Sequence, residues 1–232
     1  MSSRIYCAID TIDVNTAKDL ARSLKPHVAG LKLGLEFFAA NGPQGYKAIA
    51  GFGAPIFLDL KLHDIPNTVG SSVSALLPLK PQFMTIHAAG GAGMMKAAVE
   101  AASKAGANRP KILAVTVLTS LNANDLNAVG QDAEPKSQVL RLAKLAKESG
   151  VDGVVCSPAE VAMLRENLGP DFTLMVPGIR PVGADLGDQK RVMTPKDAVA
   201  AGATYVVIGR PITGAPDPAA MAKAINVQAE AA

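Results

Sequence analysis

Three ionisable side chains interrupt the apolar stretch FLDLKLHDIPNTV, residues 57–69: Asp59, Lys61 and Asp64. On an extended strand residues two apart share a face, so Asp59 and Lys61 point to one side and Leu58 and Leu60 to the other. Asp64 falls beyond the strand, in a turn before a helix that Pro66 is suited to open. A lone Asp-x-Lys pair can be nothing more than a buried lysine with its counterion. Two carboxylates around one ammonium, with Lys32 expected on the adjoining strand, form a cluster that tolerates burial only when every charge is paired. Acidic neighbours favour the charged form of Lys61 and keep it a proton donor at neutral pH. Such a group suits a reaction that creates a carbanion and then protonates it.

The elements that must hold these residues repeat along the chain. Short apolar runs, IYCAI, VAGLKLG, PIFLDLK, FMTIHA, ILAVTVL, GVVC, TLMVPG and YVVIG, read as eight strands. Between them VNTAKDLARSL, GMMKAAVEAASKAG and SQVLRLAKLAKESG carry apolar residues at three- and four-residue spacing, as amphipathic helices do. Gly106 and Gly150 are placed to end two of these helices in a left-handed turn. Nearly continuous apolar strands alternating with helices indicate a parallel sheet with a covered outer face. Eight such units in 232 residues predict an α/β fold, a (β/α)8 TIM barrel, as a single domain over residues 1–232. The competing arrangement is a doubly wound open sheet.

A barrel puts its chemistry at the C-terminal ends of its strands. Asp10, Lys32, Asp59 with Lys61, and His87 all fall at or near the ends of the first four strands. Thr119 and Ser120 follow the fifth, Pro177 to Arg180 the seventh, and Gly209 with Arg210 the eighth. In VVIGRPIT, backbone N–H groups at Gly209 and the Arg210 guanidinium can converge on a phosphate; Gly209 alone could simply permit a tight turn, but its place after the last strand, a recurrent phosphate position in such barrels, favours the grip. The segment RPVGADLGDQKR, from Arg180 to Arg191, has the length and the glycines of a loop that closes over a ligand. His63 is out of phase with Asp59 and Lys61, which suits a surface or supporting position. His87 could orient Lys61 or Asp59, or be a core histidine with its own partner. Cys156, with no base beside it in sequence, reads as packing.

Composition excludes other classes. Lysine and arginine number 23 against 20 acidic residues, a net charge of +3 without a basic tract, and aromatics are only 4%, so nucleic acid is not an expected partner. No apolar run is long enough for a membrane span. The N-terminal MSSRIYCAID enters strand-like sequence at once, without the pattern of a secretory leader. Two cysteines, Cys7 and Cys156, outside any C-x-x-C pair favour reduced thiols and a cytoplasmic location. No His/Cys/Asp/Glu group has metal-ligand spacing, and AAGGAG at residues 88–93 lacks the dinucleotide fingerprint.

The stretch DLKLHDIPNTV resembles the D-x-K-x-x-D-I-P-x-T signature of the orotidine 5'-monophosphate (OMP) decarboxylase family. The likeness continues through AID with Asp10, LKLG with Lys32, TVLTS, VPGIRP, a following Gln189, and VIGRPI. The resemblance implies decarboxylation of OMP to UMP and CO2 in de novo pyrimidine biosynthesis, without metal or organic cofactor. It implies Lys61 as proton donor to C6, within an alternating network of Lys32, Asp59, Lys61 and Asp64. Asp10 and Lys32 would touch the ribose, Thr119 and Ser120 would lie by the pyrimidine, and Pro177 would also bind substrate. Arg180, Gln189, Gly209 and Arg210 would hold the phosphate. The family is a homodimer, and Asp64 and Thr68 would reach into the partner's site. A related class acting on sugar phosphates through Mg²⁺ shares D-x-K-x-x-D but is expected to carry an acidic metal ligand where this chain has Lys32. A barrel that binds nucleotides without catalysis could keep the phosphate grip and lose the Asp/Lys network, which is complete here.

Overall fold

The computed structural model describes residues 3–131, 134–181 and 193–230. Eight parallel strands, β1 (Ile5–Ala8), β2 (Gly30–Gly34), β3 (Ile56–Leu62), β4 (Phe83–His87), β5 (Lys111–Val115), β6 (Gly153–Val155), β7 (Thr173–Val176) and β8 (Tyr205–Ile208), close into a barrel in chain order. The closure pairs β8 with β1, Val207 opposite Tyr6. The expected (β/α)8 barrel is therefore observed, and the open sheet is excluded. Around it lie α1 (Val14–Leu24), α2 (Leu35–Ala50), α3 (Pro66–Leu76), α4 (Gly91–Ser103), α5 (Ala123–Ala128), α6 (Pro135–Glu148), α7 (Val161–Leu168), α8 (Pro195–Ala200), α9 (Arg210–Thr213) and α10 (Pro218–Glu230).

Local chemistry accounts for the helix boundaries. Asp13 caps α1 by accepting from the N–H groups of Asn15 and Thr16, and Ala17, Ala21 and Leu24 form its buried stripe. Pro66 stands in the first turn of α3, where its missing N–H has no partner to lose. Gly106 (φ 55°) and Gly150 (φ 81°) adopt the left-handed conformation expected after α4 and α6. Two strands stop earlier than their apolar runs suggest. β7 ends at Val176 because Pro177 has no N–H to continue the ladder, and β5 ends at Val115 while the Thr116 hydroxyl and N–H still bond to the Val155 carbonyl.

Strand alternation sorts the apolar side chains into two layers. Ile5, Cys7, Leu31, Leu33 and Leu58 point outward and pack under the helices. Tyr6, Phe57, Phe83, Leu113, Met175 and Val207 point inward and fill the lumen. There Tyr6 meets Phe83 and Tyr205 edge to face, with ring centroids 5.5 and 5.3 Å apart. Each such side chain, fully buried, contributes roughly 1.5–3 kcal/mol. The packed aromatic floor leaves the C-terminal end of the lumen to polar groups.

Candidate active site

The first step toward the site is a fault in the sheet. β3 and β4 pair regularly at Phe57↔Phe83 and Leu58↔Met84, and next at Leu62↔Ile86. From Leu58 to Leu62 β3 advances four residues, while from Met84 to Ile86 β4 advances two. The extra residues bulge, and Lys61 takes φ 51°, a left-handed conformation uncommon outside glycine. Simple alternation placed Asp59 and Lys61 on one face; the bulge is what re-aims the end of the strand.

The side chains then form a line of alternating charge. Lys61 Nζ donates to Asp59 Oδ2 at 2.7 Å. Lys32 Nζ, from β2, lies 3.7 Å from the same oxygen and donates at 3.2 Å to Asp10 Oδ1, just after β1. Gly34 leaves room for this contact, since a Cβ there would stand 3.0 Å from Lys32 Nζ. Burial is deepest in the middle of the line: the Asp59 side chain is 10% exposed, whereas those of Lys61 and Asp10 at its ends are 28% and 54% exposed. Burial alone would raise the pKa of Asp59. The Lys32 and Lys61 ammoniums, with hydrogen bonds from Lys61 and Thr85, outweigh it and hold the carboxyl below its ordinary value.

These groups border a cavity of about 240 Å³ at the C-terminal mouth of the barrel. Lys32, Asp59 and Lys61 form one side; Val115, Val155 and Val207 are part of its apolar lining. Thr119 and Pro177 also line it. Gly209 adjoins Asp10: a Cβ at Gly209 would lie 3.3 Å from Ala8 Cβ and 3.8 Å from Asp10 Oδ2. Close approach thus adds to the case for glycine there. Arg210 is exposed at the start of α9. Arg180 is buried, its N–H donating to the Met193 carbonyl at 3.0 Å and its guanidinium to the Ile179 carbonyl.

Other expected site residues are not among those that line the cavity. Asp64 is exposed and accepts from the Ile65 N–H at 2.7 Å. Thr68 is exposed on the first turn of α3, and Ser120 is exposed in the turn after β5. Gln189 and most of the Arg180–Arg191 segment lie outside the described residues. His63 is exposed, with its ring 5.3 Å from that of half-buried His87. Burial, and then the charges of His63 and Lys61, lower the pKa of His87 despite the opposing pull of Asp59. Cys156 is buried and lines the cavity, and burial pushes its thiol up, so it packs there as a neutral group.

Sequence reasoning missed Thr85. This β4 residue is 1% exposed, and its hydroxyl donates to Asp59 Oδ1 at 2.9 Å while accepting from the Lys61 N–H at 2.9 Å. The available signal was a polar residue inside FMTIH, two positions before His87 and therefore on its face.

The family model of the orotidine 5'-phosphate decarboxylase / HUMPS family matches residues 3–225. A protein of Paramagnetospirillum magneticum named orotidine 5'-phosphate decarboxylase is 51% identical over 232 residues, covering 98% of this chain and 99% of that one. One of the same name from Gluconobacter oxydans is 53% identical over 226 residues, covering 96% and 95%. The crystal structure of orotidine 5'-phosphate decarboxylase from Lactobacillus acidophilus superposes with a TM-score of 0.86 at 41% identity, over 99% of both chains. By sequence and by fold, this chain belongs to the orotidine 5'-phosphate decarboxylase / HUMPS family.

Proposed function

We propose that the protein is an orotidine 5'-monophosphate decarboxylase, a carboxy-lyase forming UMP and CO2 for pyrimidine synthesis in the cytoplasm. The observation that carries this reading is the Asp10–Lys32–Asp59–Lys61 line of charges beside the cavity. In the sugar-phosphate branch of the family a divalent cation is the expected electrophile. Here the Lys32 ammonium lies between two carboxylates, Asp10 and Asp59, and supplies the positive charge at that point.

In the proposed reaction the bond between C6 and the carboxylate breaks, CO2 leaves, and the electron pair stays on C6. That pair lies in the ring plane, where the π system delocalises it poorly, so stabilisation must be chiefly electrostatic. Lys61 Nζ, held by Asp59, donates a proton to C6 and is reprotonated from solvent afterwards. Asp59 beside the substrate carboxylate adds repulsion that departs with CO2. Asp10 and Lys32 hold the ribose, while Thr119, Ser120 and Pro177 adjoin the base. Arg180, Gln189, Gly209 and Arg210 hold the phosphate, whose binding energy helps order the site. The active form is a homodimer, and Asp64 and Thr68 act in the partner's site; both are exposed and neither lines the cavity of its own chain, which supports this.

The test is loss of OMP absorbance with purified protein in EDTA. Turnover that persists is expected. Turnover only on addition of Mg²⁺, or action on a sugar phosphate in place of OMP, would replace this reading with the other branch of the family.

A further inference from the structure

We propose that Thr85 is a positioning residue for Lys61 and Asp59: its one hydroxyl joins the backbone of the proton donor to the carboxylate that aims it. This inference rests on the decarboxylase reading and adds a residue to it. At the bulge, β4 offers no regular ladder partner to β3 between Met84 and Ile86. The Lys61 N–H would be an orphan donor in a half-buried place, and an unpaired buried donor costs about 1–3 kcal/mol. Thr85 Oγ1 takes that N–H at 2.9 Å. The same atom spends its own hydrogen on Asp59 Oδ1, also at 2.9 Å.

The consequence is directional. With Oδ1 held by Thr85, the Asp59 carboxylate is fixed in rotation, and Oδ2 is left to face both ammoniums, Lys61 at 2.7 Å and Lys32 at 3.7 Å. Acceptance of the Lys61 N–H meanwhile steadies a residue at φ 51°, from which the lysine side chain rises to the cavity. Threonine suits both tasks, because a hydroxyl donates and accepts at once and a β-branched side chain has few rotamers on a strand. Valine keeps the shape and loses both bonds.

Two readouts separate this role from simple packing. The first is Asp59 titration, followed by carboxyl ¹³C NMR in the ligand-free protein. The charged and titratable groups facing Asp59 are Lys32 from β2, Lys61 from β3 and His87 from β4, with Asp10 beyond Lys32; none is altered by the substitution. Thr85→Val should raise the Asp59 pKa, and Thr85→Ser should restore it. The second readout is kinetic. Thr85→Val should lower kcat for OMP by about tenfold or more, with KM and UMP affinity within about threefold of the parent, because misaim affects the transition state before it affects binding. Thr85→Ser should recover most of the rate. An unchanged Asp59 titration, a wild-type kcat in Thr85→Val, or equal damage in valine and serine variants would overturn the role of Thr85. Failure of the unmodified protein to consume OMP would instead overturn the decarboxylase reading, and the titration alone would then decide whether Thr85 positions Asp59.

Discussion

Lys61 is held to Asp59 by its side chain, at 2.7 Å, while its own backbone sits at φ 51° in a bulge of β3. Left-handed backbone costs an L-residue about 1–2 kcal/mol relative to the right-handed form, and glycine almost nothing. The strain is retained at a residue whose side chain enters the cavity.

This relationship gives a comparison of two Lys61 variants. Lys61→Ala and Lys61→Gly both remove the ammonium from Asp59, so the loss of the ion pair cancels between them. Lys61→Gly alone relieves the backbone and should be the more stable by about 1 kcal/mol, offset in part by its freer unfolded chain. Urea denaturation at neutral pH would measure the difference, and a less stable glycine variant would deny the strain.

At the opposite end of the barrel, Arg165 on α7 binds four carbonyls, those of Gly169, Pro170, Phe172 and Gly202, and the hydroxyl of Thr204. It ties the loops entering β7 and β8. Arg165→Ala should destabilise the fold by about 2–4 kcal/mol, since it orphans several partly buried acceptors together. Below the melting transition, kcat and KM should stay near the parent values. Thermal unfolding with steady-state kinetics would test both halves.

The depressed pKa of His87 has a stability consequence with a definite sign. Burial, and then the charges of His63 and Lys61, favour the neutral ring in the folded protein, so the unfolded chain binds the proton more readily. Stability from this source is complete above the unfolded value, about 6.5, and declines as pH falls through the lower folded value. His87→Gln should therefore lose less melting temperature between about pH 7.5 and pH 5 than the parent does. An equal or steeper loss would assign the pH dependence elsewhere.

The fold was legible because eight apolar runs and intervening helical patterns repeat in one order, and parallel strands buried on both faces leave few alternatives. The Asp59 and Lys61 pair was legible from strand alternation. The bulge was not: it carries no glycine, and its left-handed residue is Lys61 itself. Thr85 was hidden because threonine is common in strands, and its partners lie 24 and 26 residues away on β3. Asp64 looked like a third member of a compact cluster, but the turn before α3 carries it to the surface of its own chain.

The proposed sharing of Asp64 between two chains can be tested by mixing variants. If Asp64 serves the partner's site, Lys61→Ala and Asp64→Ala proteins should each be nearly inactive, yet regain activity when dissociated together and reassembled. Random exchange makes about half the dimers mixed, each with one intact site, so roughly a quarter of the parent activity should return. No gain over separately treated controls would put Asp64 in the site of its own chain.

The proposed proton-donor role of Lys61 is tested most directly by single-turnover formation of UMP, with enzyme in excess over OMP, for the parent and Lys61→Ala side by side. Enzyme held well above its Kd for OMP removes differences in binding, and UMP affinity measured separately should be nearly equal. The expected result is a fall in the rate of UMP formation of at least about 10⁴-fold, because the lost interaction belongs chiefly to the transition state. A Lys61→Ala protein that forms UMP within about tenfold of the parent rate would contradict a reaction built on that ammonium.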